Sequence, residues 1–272
     1  MPDLSHIELP LLLDGIRLRY GFDFRDYARA SFYRRVMARV EAEGVANISA
    51  LQALLLHDEA AMERFLVRLT VHVTSMFRDP GFYRAFREKI VPTLATYPFV
   101  RIWHAGCSTG EEVYSMAILV EEEGLAAHSM LYATDLSEGV LALAKRGVFP
   151  IAAMKDYTRN YMESGGKRAF SAYYNADHEN VVLKPSLRDK ITFSPHNLVT
   201  DASPNEFNVI LCRNVLIYFN PTLQERVLRL FYASLGPHGV LCLGQKESLR
   251  HTPLESAFEV FDADQRIYRR IE

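Results

Sequence analysis

Cysteine is scarce: Cys107, Cys212 and Cys242 are the three in 272 residues, and no two stand in a C-x-x-C spacing. That excludes a disulfide framework and a cysteine-built metal site, and leaves three free thiols in apolar contexts, as suits a reducing compartment. Long apolar runs are also missing. The stretch at residues 9–13 is far shorter than the roughly 20 residues that cross a bilayer, and no basic segment precedes it as in a signal peptide. A cytoplasmic chain without membrane insertion is expected. The charge balance has little excess of either sign, a formal net of -2, which argues against a surface built throughout to grip nucleic acid. There is no G-x-G-x-x-G fingerprint, no Walker lysine, no internal repeat and no low-complexity linker.

What is present divides in two. Over residues 9–69 apolar residues recur at helical spacing, as in Phe32, Val36, Val40 and Leu51, Leu54, Leu55, with turn signals at Gly21 and Gly44. This predicts an all-helical N-terminal domain over residues 1–70. After an apolar helix at 82–94, ended by Pro98, five short strands alternate with helical patterns at 100–105, 130–134, 190–194, 208–212 and 239–244. Their near-continuous hydrophobicity implies burial on both faces, hence an α/β domain over residues 71–272 with a doubly wound, mostly parallel sheet. The alternating tail at 257–271 suits a half-exposed edge strand. Gly165-Gly166, Tyr173-Tyr174 and Val181-Val-Leu183 mark a small β subdomain inserted at about 147–190. Either a recognition element or a surface excursion without a role fits that insertion.

The segment Val100-Arg-Ile-Trp-His-Ala-Gly-Cys-Ser-Thr-Gly-Glu-Glu-Val-Tyr114 runs a buried strand into a small-residue loop that opens a helix with two acids. An α/β protein keeps its cofactor at such a turn. Carboxylates stand where a pyrophosphate binder needs bare N–H groups, so the ligand is expected to be cationic or rich in hydroxyls. S-adenosylmethionine, with a sulfonium, an ammonium and a ribose, is both.

Each candidate residue has a second role that fits it as well. Glu111 closes an S-x-x-E capping box with Ser108, and Thr109 with Glu112 repeats the pattern, so both acids also fit a helix cap of about 1 kcal/mol. Asp135, ending the next strand, suits the two hydroxyls of a ribose, and equally the N-cap of a helix over 136–145. Thr74 and Arg78 lie four apart and would share a helix face; Arg78 suits a carboxylate, or a surface pair with Asp79. Cys212-Arg213-Asn214 closes a strand and brings Tyr218 to the same sheet edge, where Tyr218 also fits as an amphipathic core residue.

Thr74-x-x-x-Arg78, Gly110-Glu-Glu112, Ala133-Thr-Asp135, His196-Asn-Leu198 and Cys212-Arg-Asn-Val-Leu-Ile-Tyr-Phe219 occur together in an order and spacing that resembles the chemotaxis receptor methyltransferases, the CheR family. The resemblance spans almost the whole chain. It implies a class I S-adenosylmethionine-dependent methyltransferase fold, Rossmann-like, with S-adenosyl-L-homocysteine as product. It further implies a protein-glutamate O-methyltransferase that esterifies glutamates on the cytoplasmic methylation helices of methyl-accepting chemotaxis receptors. By this resemblance His72, Thr74, Arg78, Glu111, Asp135, Asn197, Leu198, Cys212, Arg213 and Asn214 line the donor site, while Arg78 and Tyr218 lie by the transferred methyl. Glutamate is already ionised near neutral pH, so neither a metal nor a His–acid dyad is expected in the chemistry.

Arg25 with Arg29, and Arg35 with Arg39, are i,i+4 pairs that would make a basic stripe for docking the acidic receptor region; a solvated face balanced by Glu41 and Glu43 fits as well. Three departures stand out. His72 replaces a frequent asparagine, Gly244-Gln-Lys-Glu247 replaces the more usual Gly-His-Ser-Glu, and Tyr173 to Val182 lacks the glycine cluster of members that tether to a receptor pentapeptide. The last predicts a tether-independent enzyme, and nothing in the chain demands more than a monomer. Two other readings stay open: a class I methyltransferase for another acceptor, although the Asn-Pro-Pro-Tyr type of motif used on base amines is absent, and a non-catalytic regulator that binds S-adenosylmethionine or S-adenosylhomocysteine.

Overall fold

The computed structural model describes residues 4–69 and 74–271. Four helices open the chain: α1 (Ser5–Tyr20), α2 (Arg29–Ala42), α3 (Ile48–His57) and α4 (Glu59–Leu69). Their inward faces, among them Leu12, Ile16, Val36, Leu51 and Phe65, build a core of their own. Gly21 ends α1 in the left-handed conformation that a side chain resists. The helix expected at 82–94 is interrupted. It runs as α5 (Pro80–Ala85), a π turn at Phe86–Ile90 and α6 (Val91–Leu94), because Pro92 has no N–H with which to continue the α ladder.

The α/β domain continues through β1 (Val100–Ala105), α7 (Glu111–Glu122), β2 (Ser129–Asp135), α8 (Glu138–Arg146), β3 (Val148–Pro150), α9 (Met154–Glu163), β4 (Tyr174–Ala176), β5 (Asn180–Leu183), α10 (Pro185–Arg188), β6 (Ile191–Pro195), β7 (Phe207–Cys212), α11 (Pro221–Ser234), β8 (Leu235–Leu243), β9 (Phe258–Asp262) and β10 (Ile267–Arg270). Seven strands form one sheet in the order β6-β2-β1-β7-β8-β10-β9. The first five are mutually parallel, and β10 runs antiparallel between β8 and β9. This is the class I methyltransferase architecture. Alternate residues of β1 feed opposite layers: Val100 and Ile102 pack towards α7 and the inserted subdomain, Trp103 and Ala105 towards α11. Trp103 is fully buried, and its indole N–H donates to Thr134 Oγ1 at 2.9 Å.

The insertion is a three-stranded antiparallel sheet, β3-β5-β4, with α9 beside it. One expectation is corrected at the tail. The tail holds two strands: the first, β9, is the sheet edge, whereas the alternating end, β10, lies inside the sheet with Ile267 and Tyr268 buried. Side-chain alternation reports which face of a strand is buried, not whether one lateral neighbour or two will bond to its backbone.

A short clasp joins the two domains. Ala28 N–H donates to the Tyr218 carbonyl (2.8 Å) and Asn220 N–H to the Asp26 carbonyl (2.9 Å), while the rings of Tyr27 and Phe219 meet edge to face at 5.0 Å. Asn220 serves twice, capping α11 through its side-chain oxygen on Leu223 N–H and donating through its amide to Asp26 Oδ1. Asn220→Ala is expected to lower the unfolding free energy by about 1–2 kcal/mol, read as a reduced urea midpoint at unchanged slope.

Candidate functional site

The sheet places the site before any side chain is considered. Sequence moves outward from β1 in both directions, to β2 on one side and β7 on the other, so a crevice opens at the carboxyl ends of these strands. The loop after β1 forms its floor. Gly106 has φ +81°, and a Cβ there would come within 2.7 Å of Val215 Cγ2, so the backbone lies close against the loop after β7. Ser108 N–H donates to Asp135 Oδ2 at 3.0 Å and Ser137 N–H to Asp135 Oδ1 at 3.2 Å. Asp135 is thereby fixed at the end of β2, facing the crevice.

Two capping roles that the sequence allows are not taken. The N-cap of α7 is Gly110, with no side-chain cap, and Thr109 Oγ1 donates to Glu111 Oε2 instead. The N-cap of α8 is Ser137, whose hydroxyl accepts from Val140 N–H, so Asp135 is not that cap.

Arg78 stands on a loop, not on the helix face shared with Thr74 that the spacing suggests. Phe77 and Asp79, on either side of it, have φ of 52° and 56°, a costly conformation for side chains of their kind. Three anchors hold it. Phe77 N–H donates to Ser115 Oγ on α7 (2.8 Å), Asn160 of α9 donates to Ser75 Oγ and the Met76 carbonyl, and the Phe77 ring packs among Tyr83, Tyr161 and Phe170. The inserted subdomain thus reaches the site through this loop.

Beneath Arg78 lies a buried ionic network. The Arg213 guanidinium donates to Asp79 Oδ2 (2.8 Å), Glu112 Oε2 (3.3 Å) and the Arg78 carbonyl (3.4 Å), and stacks over Phe82 at 4.1 Å. His104 Nδ1 meets the other oxygen of Glu112 at 3.0 Å. Burial pushes the Glu112 carboxyl up, but the His104 hydrogen bond and the Arg213 charge outweigh it and hold the group below its ordinary range. The sequence offered no sign of this His–acid pair, which lies outside the chemistry. His104 is fully buried in β1 behind Glu112, a place from which it cannot serve an acceptor.

The roof comes from the helical domain. Phe24, Tyr27, Leu66 and Leu69 line the cavity together with Arg35, whose guanidinium stacks on the Tyr218 ring at 4.3 Å and donates to the Leu69 carbonyl at 2.7 Å. The basic stripe does not form. Arg35 turns into the cavity, and Arg39 is buried in an ion pair with Glu43. Arg25 precedes α2, bonded to Asp23 at 2.7 Å, which leaves Arg29 and Arg34 outward on the helix. Helical spacing alone cannot tell which face a helix buries.

Of the residues singled out by sequence, Thr74, Arg78, Asp135, Asn197, Leu198, Arg213, Asn214 and Tyr218 line this one cavity. Cys212 does not: its thiol is buried in the core at the end of β7. Glu111 does not either. It is buried at the start of α7, where the Tyr157 hydroxyl donates to it at 3.4 Å, and its neighbour Glu112 faces the cavity instead. His72 lies outside the described residues. The apolar roof residues were missed by sequence reasoning, and Arg35 was assigned to docking, although the clustered aromatics Phe22, Phe24 and Tyr27 between two helices were a signal.

Residues 72–267 match the CheR methyltransferase SAM-binding domain, and residues 7–70 the CheR methyltransferase all-alpha domain. The chain belongs to the CheR methyltransferase family. It is 45% identical over 266 residues to the "Putative methyltransferase Cher3" of Pseudomonas putida, covering 98% of this chain and 97% of that protein. To the "Chemotaxis protein methyltransferase" of Salmonella typhimurium it is 30% identical, with 90% of this chain and 85% of that one covered. The Escherichia coli protein of the same name is 30% identical, with 86% and 81% covered.

S-adenosylmethionine is the cofactor of this family domain, and the cavity's donor set fits it. A carboxylate fixed by two backbone N–H groups suits a ribose diol, Leu136, Leu198 and Val199 suit a flat base, and an acid, Glu112, with a cation, Arg78, in the same lining suits a zwitterionic amino-acid end. Because Glu112 titrates lower folded than unfolded, its contribution is complete above the unfolded value of about 4.3 and is lost as pH falls through the folded value. Glu112→Gln is therefore expected to flatten the acid limb of a melting temperature–pH profile below about pH 4.5, whereas an unchanged acid limb would show that Glu112 is not held ionised.

Proposed function

We propose that this chain transfers the methyl group of S-adenosylmethionine to glutamate side-chain carboxylates on the cytoplasmic methylation helices of chemoreceptors, and that it works in the cytoplasm as a monomer. The observation that carries this is that Arg78 and Tyr218, both partly buried, line the same cavity as Asp135 at the end of β2. Bound S-adenosylmethionine supplies a methyl on a positively charged sulfur. An ionised glutamate needs no base to attack it, and attack brings opposite charges together, so excluding water and fixing the line of approach account for the rate. Arg78 can hold the carboxylate by charge-assisted hydrogen bonds, and the Tyr218 hydroxyl can orient it; neither has to exchange a proton. The strained loop at Arg78 and the Arg35 stack on Tyr218 fix both groups before the acceptor arrives.

Donor binding falls in this reading to Asp135, Thr74, Glu112, Asn197, Leu198, Arg213 and Asn214, with Arg78 shared between the donor's amino-acid end and the acceptor. Receptor docking falls to the exposed basic residues beside the roof, Arg25, Arg29 and Arg34, against an acidic helix. The β4–β5 connection is tight: Glu179 and Asn180 N–H both donate to Asp177 Oδ1. This short, acid-tipped turn supports docking without a receptor tail.

Labelled methyl should pass to cytoplasmic fragments of the host's chemoreceptors and be released by alkali, with Arg78→Ala lowering kcat/KM about 100-fold or more. Alkali-stable label, or full activity in Arg78→Ala, would contradict the assignment. Arg34→Glu should raise KM for the receptor several-fold with kcat nearly unchanged, an effect that added salt diminishes. Calorimetric titration with a receptor-tail pentapeptide should give no heat of binding; a measurable affinity would overturn tether independence.

A further inference from the structure

The cavity wall formed by residues 214–218 has no regular strand or long helix to hold it. Asn214 sits at φ 63°, and Leu216–Tyr218 make a single 3-10 turn. Gln224 Nε2 holds its Leu216 carbonyl (3.0 Å) and Ala28 N–H its Tyr218 carbonyl (2.8 Å), while its N–H groups are gathered by one side chain from outside the donor-site set. Glu247, only 5% exposed, accepts from Gly244 N–H (2.6 Å) and Asn214 N–H (3.0 Å) on one oxygen and from Ile217 N–H (3.3 Å) on the other. The loop is confined from both sides. A Cβ at Gly244 would lie 2.8 Å from Asn214 N and 2.8 Å from a Glu247 oxygen, and a Cβ at Gly106 would run into Val215. Burial pushes the Glu247 carboxyl up, opposed by the backbone N–H groups that converge on it. A buried carboxylate gripped by backbone donors behaves as a fixed peg, and losing it leaves those donors unpaired in a dry place.

We propose that Glu247 is a positioning residue for methyl transfer: by gathering the backbone N–H groups of residues 214 and 217 it sets Asn214 for the donor and Tyr218 for the acceptor. This rests on the reading of the cavity as the donor site. The substitution Glu247→Gln keeps the size, but its amide turns a donor towards N–H groups that need an acceptor. It should lower kcat/KM about 10-fold or more and weaken S-adenosylhomocysteine binding in calorimetry, with the melting temperature still above the assay temperature. Because Glu247 acts through Tyr218 and Asn214, its effect in a cycle with Tyr218→Phe should be non-additive, the double variant being little worse than the worse single one. A merely stabilising residue would multiply its effect with that of Tyr218→Phe, and that result, or unchanged kinetics and affinity in Glu247→Gln, would overturn the proposal. If the Gln variant does not fold, Glu247→Asp serves in the same cycle with the same two outcomes, since it keeps the charge but withdraws it by one methylene. Failure of the wild-type protein to bind S-adenosylhomocysteine would instead sink the donor-site reading itself.

Discussion

The guanidinium of Arg213 is the constraint on which the rest of the site depends. It leaves the end of β7, is almost wholly buried, and ties three acceptors from two separate pieces of chain to one planar cation: Asp79 and the Arg78 carbonyl on the loop before α5, and Glu112 on the first turn of α7. Burial works against the charge, but Glu112, Tyr83 and Asp79 outweigh it and raise its pKa above the ordinary arginine value. Removing one member would leave the others charged in a poorly solvated place, so the network is worth more as geometry than as net stability. A lysine, with one point of charge and no fork, could not hold three acceptors in fixed directions.

Around that cation the cavity is assembled from parts that carry little regular structure. Its floor is a glycine turn, one wall is a loop with two left-handed residues, another is the turn pegged by Glu247, and the roof comes from a different domain. Rigid elements supply only the ends that these loops leave from: β1, β2 and β7 set the spacing, and α7 and α9 hold the Arg78 loop from behind through Ser115 and Asn160. The clasp between residues 26–28 and 218–220 matters for the same reason. It brings Arg35 over Tyr218, so the helical domain shapes the site and is more than a platform beside it.

How much of this was legible in the sequence follows from what periodicity can encode. The parallel strands, the N-terminal helices and the inserted sheet were readable, because burial on one or both faces writes itself into the spacing of apolar residues. Site residues at strand ends, Asp135, Arg213 and Asn214, were readable for a related reason: polar residues directly after a buried strand have few other places to be. Tertiary facing was not readable. Arg35 and Arg39 share a spacing with exposed residues yet turn inward, one onto Tyr218 and the other onto Glu43. Thr74 and Arg78 have helical spacing on a chain that is not helical there, since Phe77 and Asp79 take left-handed angles that only distant contacts enforce. Glu111 and Glu112 could not be told apart from sequence, and the structure gives the cavity to the second.

The central claim is that the crevice between the carboxyl ends of β1, β2 and β7 and the roof of the helical domain takes the methyl donor. A crystal structure of the protein with S-adenosyl-L-homocysteine tests it most directly. The account predicts ligand density inside that crevice, with the ribose hydroxyls on Asp135 and the amino-acid end towards Arg78 and Glu112. Density elsewhere on the molecule, or a ribose directed away from Asp135, would contradict it.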